Sequence, residues 1–171
     1  MKLKGYTLWL VPTGEAFEKF NNLIQRLSKQ YYAPVFRPHV TLLGEFLQTE
    51  EECIEKTKEL VKGQKSFTLE LGQIYYEDFF FRTLFVKAKI TEELQALHDR
   101  AKQIFNMTNI PQYMAHLSLL YGTFPVELKE KIIKEIGRDQ SAQWEVNKVT
   151  LIKGGEVDDW QIVGEFPFKI F

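Results

Sequence analysis

The sequence predicts an α+β fold of two lobes related by a pseudo-twofold axis, each an antiparallel-rich sheet with two helices on its outer face, enclosing a central groove. Three observations predict it. Short β-rich runs alternate with longer stretches whose apolar residues recur every three or four positions. The order strand, helix, strand, helix, strand occurs twice along the 171 residues. A similar histidine-containing tetrapeptide falls at the same point of each repeat.

The elements follow in order. Tyr6 to Val11 is a β-rich run stopped by Pro12, a first strand. A helix from about Glu15 to Tyr31 carries Phe17, Phe20, Leu23, Ile24 and Leu27 on one stripe. Pro34 and Pro38 interrupt the approach to a second strand, Val40 to Leu43, which Gly44 closes. Thr49-Glu50-Glu51-Glu52 has the form of a capping box. It opens a helix with Cys53, Ile54, Thr57, Leu60 and Val61 inward, ending near Gly63. Phe67 to Leu71 alternates at period two. Its continuation to Tyr76 and the run Phe79 to Ile90 predict a long hairpin turning at Glu77-Asp78.

The order then repeats. A helix from Thr91 to Phe105 presents Leu94, Leu97, Ala101 and Ile104, and a strand from His116 to Leu120 stops at Gly122. Pro125 suits the first position of a helix whose stripe is Leu128, Ile132, Ile133 and Ile136. Two closing strands are expected around Trp144 to Ile152 and Trp160 to Phe168. No Gly/Ser linker or charge block divides the halves. The expectation is therefore a single bilobal domain over 1–171, with lobes at about 1–78 and 79–171 and strand exchange between them left open.

Composition narrows the function classes. Hydrophobic residues at 44% and charged ones at 26% suffice for a packed core and argue against disorder. Twenty-two Lys and Arg against 23 Asp and Glu leave a formal charge of −1, so bulk charge attracts neither duplex DNA nor an anionic membrane. A local basic pocket stays compatible with that balance. One cysteine, Cys53, forbids an intrachain disulfide or a Cys-rich zinc site, and its helical neighbours make it a small buried hydrophobe. The charged start and the short apolar run that follows fit neither a signal peptide nor a membrane span. The expectation is a soluble, cytoplasmic protein.

Only three histidines are present, and two of them match. Pro38-His39-Val40-Thr41-Leu42-Leu43-Gly44 aligns with Ala115-His116-Leu117-Ser118-Leu119-Leu120-Tyr121-Gly122. In a strand, His39 and Thr41 point one way while Val40 and Leu42 point the other, and the same holds for His116 and Ser118 against Leu117 and Leu119. Each strand thus offers an apolar face to a core and an imidazole-plus-hydroxyl face to something polar. One such tetrapeptide is most simply a half-buried histidine bonded to its neighbours. Two at equivalent places in duplicated halves point instead to a shared groove.

These tetrapeptides, His39-Val40-Thr41-Leu42 and His116-Leu117-Ser118-Leu119, resemble the paired motifs of the 2H phosphoesterase superfamily. Tyr6-Thr7-Leu8-Trp9-Leu10-Val11-Pro12, Phe79-Phe80-Phe81-Arg82 and Tyr121-Gly122 are similar to its cyclic phosphodiesterase branch. The resemblance covers nearly the whole chain. Plant members carry extra cysteines that can pair, and a chain with Cys53 alone cannot. The resemblance implies hydrolysis of a ribose cyclic phosphodiester, either ADP-ribose 1″,2″-cyclic phosphate or a nucleoside 2′,3′-cyclic phosphate opened to the 2′-phosphate. RNA-end processing, by opening cyclic 3′ ends or 2′-5′ ligation, is the alternative within the superfamily. A non-catalytic cyclic-nucleotide-binding module is the alternative outside it.

The residue types fit that chemistry on their own terms. Opening a cyclic diester needs a base for water and an acid for the departing oxygen, and histidine supplies either near neutral pH. His39 and His116 are the candidate acid–base pair, in an order that sequence leaves open. Thr41 and Ser118 are the candidate phosphate ligands, their hydroxyls donating to non-bridging oxygens. Tyr121, Trp9 and Phe81 are further substrate-binding candidates, set against packing roles for each. Arg37 and Arg82 are candidates to steer phosphate, or else solvated cations. His98 lacks a hydroxyl partner and reads as a surface residue. No HxxxH or HxH spacing is present, so no metal and no cofactor is expected. The expected partner is a small nucleotide or ADP-ribose cyclic phosphate, with RNA 3′ ends as the alternative and no membrane or duplex DNA.

Overall fold

The first half of the chain forms β1 (Leu3–Leu10), α1 (Gly14–Tyr31), β2 (Val40–Phe46), α2 (Glu50–Val61) and β3 (Phe67–Tyr76). The second forms β4 (Leu84–Ala88), α3 (Glu92–Ile104), β5 (His116–Leu120), α4 (Val126–Ile136) and β6 (Asp139–Val146), and then adds β7 (Lys148–Gly155) and β8 (Gln161–Pro167). The expected order of elements is present twice. These positions come from a computed structural model that describes residues 1–169; Ile170 and Phe171, the end of the second expected lobe, lie outside the described residues.

The strands form one eight-stranded sheet in the order β6-β3-β4-β5-β2-β1-β7-β8, every ladder antiparallel. The two motif strands, β2 and β5, lie side by side at its centre, joined by the single pair Val40–Leu117. β3 pairs with β4 and β6, while β7 pairs with β1. Each half-sheet therefore contains strands from both halves of the chain.

The apolar face of the sheet is closed by helices: α1 packs on β5 and β6, α2 on β7 and β8, and α3 on β2. Phe20, Ile24 and Leu27 of α1 and Leu94, Leu97 and Ala101 of α3 are buried there, as their helical spacing dictates. They meet Leu8, Leu10, Val40, Leu42, Leu117 and Leu119, the alternate strand residues, all inaccessible to solvent. Cys53 is buried as well, and burial pushes its thiol up to about 11, away from nucleophilic use. The capping box forms, with Thr49 Oγ1 accepting from the Glu52 amide at 3.3 Å and Glu52 Oε2 accepting from the Thr49 amide at 2.9 Å.

Four local expectations need correction. Gly44 does not close β2, which continues to Phe46; a Cβ at Gly44 would collide with the Thr7 side chain, so glycine lets β1 and β2 approach. Pro125 stands at the N-cap, one residue before α4, with extended ψ of 154°. β3 and β4 pair as a hairpin, but Phe80–Arg82 forms a 3₁₀ turn instead of extending β4. That turn follows a connection tied to α4, where buried Lys129 Nζ donates to the Glu77 carbonyl at 2.9 Å and to Asp78 Oδ1 at 2.5 Å. Finally, the first closing strand is two strands, broken at Asn147. β6 pairs with β3 at one edge of the sheet and β7 pairs with β1 in the other half, so no straight strand can serve both.

Candidate active site

Strand alternation turns His39, Thr41, His116 and Ser118 away from the helices. The register then decides who meets whom. Continuing the Val40–Leu117 pairing in both directions sets His39 opposite Ser118 and Thr41 opposite His116. Trp9 of β1 pairs with Thr41, which adds its indole to the same face. A groove of about 520 Å³ lies over this face, lined by His39, Thr41, His116 and Ser118. Trp9, Phe81 and Tyr121 line it too, as does Arg82, so of the residues proposed from sequence only Arg37 lies outside this cavity. A smaller cavity of about 380 Å³ between α1 and α4, lined by Lys19, Arg26 and Glu135 among others, contains no matched chemistry.

Both imidazoles are held in the same way. His39 Nδ1 lies 2.7 Å from the Arg37 carbonyl, and His116 Nδ1 lies 2.9 Å from the Met114 carbonyl. A carbonyl can only accept, so Nδ1 carries the proton in each ring, and Nε2 has no hydrogen-bond partner among the described residues. His39 is the more enclosed, 7% exposed and stacked on Trp9 with centroids 3.5 Å apart and planes 8° apart. Burial pushes its pKa down to about 3; the Arg37 carbonyl opposes the shift and the nearby His116 adds to it. His116 is also lowered by burial, with the Met114 carbonyl opposing, Arg82 adding and Glu77 opposing.

The hydroxyls differ. Ser118 Oγ donates to the Phe81 carbonyl at 2.6 Å. Thr41 lines the groove partly exposed, and its hydroxyl makes no bond recorded among the described residues. Tyr121 stacks on Phe36 at 3.7 Å, and burial raises its pKa, keeping it a neutral phenol. Phe81 stands edge-on to Tyr121 at 5.1 Å, while Phe80 packs into the core. So one of the two phenylalanines meets the groove, but through a 3₁₀ turn and not through strand alternation.

Arg82 lines the groove with Nε 2.8 Å from Glu77 Oε2 and its guanidinium over Phe79. Arg37 is exposed and lies over Phe17 instead. Trp160 completes the aromatic wall, edge-on to Trp9 at 5.4 Å, with Nε1 donating to the Gly155 carbonyl. Sequence reasoning set Trp160 at the start of the last strand but missed its place in the groove, because nothing local to it shows which strands β8 lies beside. His98 is not a surface residue. It is 3% exposed, and the overlooked signal is its position four after Leu94 and three before Ala101, on the buried stripe of α3.

The family model described as the 2′-5′ RNA ligase superfamily matches residues 12–158. The chain belongs to this superfamily, the 2H phosphoesterases. A cyclic phosphodiesterase of Arabidopsis thaliana is 30% identical to this 2H phosphoesterase over 130 residues, covering 76% of this chain and 72% of that one. E. coli LigT in its apo form superposes with a TM-score of 0.62 at 15% identity, covering 98% of both chains. LigT complexed with 3′-AMP superposes at 0.59 and 14% identity, covering 99% of both. At those identities the likeness is one of fold, and it places the α+β architecture on solved relatives.

Proposed function

We propose that this 2H phosphoesterase hydrolyses a ribose cyclic phosphodiester by paired histidine acid–base catalysis. Its substrates are ADP-ribose 1″,2″-cyclic phosphate or nucleoside 2′,3′-cyclic phosphates, the latter opened to 2′-phosphates. The observation that carries this reading is the arrangement of two imidazoles at the starts of adjacent antiparallel strands, His39 just before β2 and His116 first in β5. Each is fixed by Nδ1 on a backbone carbonyl, each has Nε2 without a partner among the described residues, and each lies beside a hydroxyl in one groove. The named cyclic phosphodiesterase relative supports it, and the LigT complex with 3′-AMP supports a nucleotide-sized ligand.

In this mechanism one imidazole takes a proton from water as the water oxygen bonds to phosphorus. The other, protonated, gives its proton to the ribose oxygen as the P–O bond breaks. A phosphodiester anion between the rings favours the protonated imidazole that burial alone disfavours. In this reading the Thr41 hydroxyl donates to a non-bridging oxygen, Ser118 does so on releasing the Phe81 carbonyl, and Tyr121 lines the groove beside them. Trp9, Phe81 and Trp160 give apolar surface for the ribose and base.

The test is a turnover panel of the four nucleoside 2′,3′-cyclic phosphates, ADP-ribose 1″,2″-cyclic phosphate and a cyclic-phosphate-ended oligonucleotide. Products are resolved as 2′- or 3′-phosphates. Turnover of the small substrates, with the nucleoside 2′,3′-cyclic phosphates opened to 2′-phosphates and activity persisting in EDTA, is the expected result. Turnover of the oligonucleotide alone would move the assignment to RNA-end processing, and no turnover at all would leave a binding module.

A further inference from the structure

We infer that His98 and Tyr113 form a brace that sets the position of both histidine motifs, which makes them positioning residues for the reaction. This rests on His39 and His116 being the reacting pair. The evidence begins with a break in the ladder. Leu8 pairs with Leu43 but Trp9 pairs with Thr41, so Leu42 is an extra residue in β2, a β-bulge one residue beyond Thr41. A bulge removes regular ladder partners, and these carbonyls also lie beyond the single pair that joins β2 to β5.

Two side chains from outside the sheet take up the consecutive carbonyls. Tyr113 Oη donates to the Thr41 carbonyl at 2.9 Å, and His98 Nδ1 donates to the Leu42 carbonyl at 2.8 Å. The two rings stack on each other, centroids 3.8 Å apart and planes 5° apart. Simple core fillers would not need two polar ends aimed at adjacent carbonyls.

The stack also reaches the second motif. Tyr113 precedes Met114, whose carbonyl anchors His116 Nδ1. One rigid unit thus touches β2 beside Thr41 and leads directly into β5 at His116. Since β2 and β5 share one backbone pair, the spacing of the two imidazoles depends on contacts of this kind more than on the ladder itself.

The experiment uses three variants of the full chain. Tyr113→Phe keeps the ring and removes the hydroxyl; His98→Leu removes donor and stack; His98→Asn retains a donor near the Nδ1 position. With a 2′,3′-cyclic nucleotide, kcat should fall about tenfold in Tyr113→Phe and roughly a hundredfold in His98→Leu, with KM within about threefold, as expected for misaligned reacting groups. His98→Asn should recover most of that loss. A purely structural role would lower Tm while the folded variants keep wild-type kcat, and that result overturns the brace.

A second measurement does not depend on turnover. Long-range ¹H–¹⁵N spectra resolve three imidazoles, and the His39 and His116 ring signals should move in Tyr113→Phe. Unmoved signals overturn the brace whatever the activity. Signals that move in a protein inactive on every substrate overturn the proposed function and retain the brace.

Discussion

His39 and His116 reach the groove from equivalent strands with the same Nδ1-to-carbonyl anchor, yet their surroundings differ. His39 is sealed under the Trp9 indole, where burial and the nearby His116 hold its pKa down. His116 lies edge-on to Phe85 and feels Arg82 and Glu77. Their companions differ in the opposite sense: Thr41 is partly exposed, whereas Ser118 is buried with its proton committed to the Phe81 carbonyl. Duplicated sequence has therefore produced an asymmetric site. Acid and base must be unlike at the moment of reaction, and unlike burial is one way to make them so.

The largest test removes the imidazoles. His39→Gln and His116→Gln should each lower kcat on the cyclic substrate by about 10²–10⁴. The comparison sharpens in the residual pH profile. Wild type should be bell-shaped; the variant lacking the base should lose the acid limb, and the variant lacking the acid should lose the alkaline one. The same limb lost in both would break the asymmetry.

The hydroxyls come next. Thr41→Val should cost about 1.5–3 kcal/mol in kcat/KM, roughly 10- to 100-fold, the value of a hydrogen bond to a charged group. Ser118→Ala should cost less than tenfold, because its proton is already held by Phe81, and should lower Tm through the carbonyl it abandons. Equal kinetic losses would show that Ser118 releases Phe81 at little cost when phosphate binds.

The last effect is on stability. With His39 held at about 3 when folded and near 6.5 when unfolded, the unfolded chain binds more protons between those values. Stability is therefore complete above pH 6.5 and falls as pH drops toward 3. Urea unfolding should show a loss of about 2 kcal/mol from this group between pH 6.5 and 5. His39→Gln should flatten that slope more than His116→Gln does, and equal slopes would contradict the difference in burial.

What was legible in sequence was whatever local periodicity encodes. Alternation in His116–Leu120 fixed its face, the stripe of α1 fixed its buried side, and Thr49 with Glu52 marked the start of α2. What escaped depends on partners distant in the chain. The break at Asn147 exists because β6 and β7 join different half-sheets, and the 3₁₀ turn follows a connection that Lys129 grips from α4. Trp160 reaches the groove only because β7 lies beside β1. His98 was misplaced for a different reason: it was judged by the hydroxyl it lacks two residues on, although its helical position was inward.

The exchange of strands between half-sheets has a consequence for how the protein is made. β1 emerges from synthesis well before β7, the strand that completes its pairing, and β3 must find β4 and β6. Neither half of the chain can close its own hydrogen-bond edges, so early fragments expose strands that invite aggregation. Folding should then be slow and all-or-none, governed by long-range closure. Two fragments divided near residue 78 should stay unfolded apart and recover the native structure when mixed.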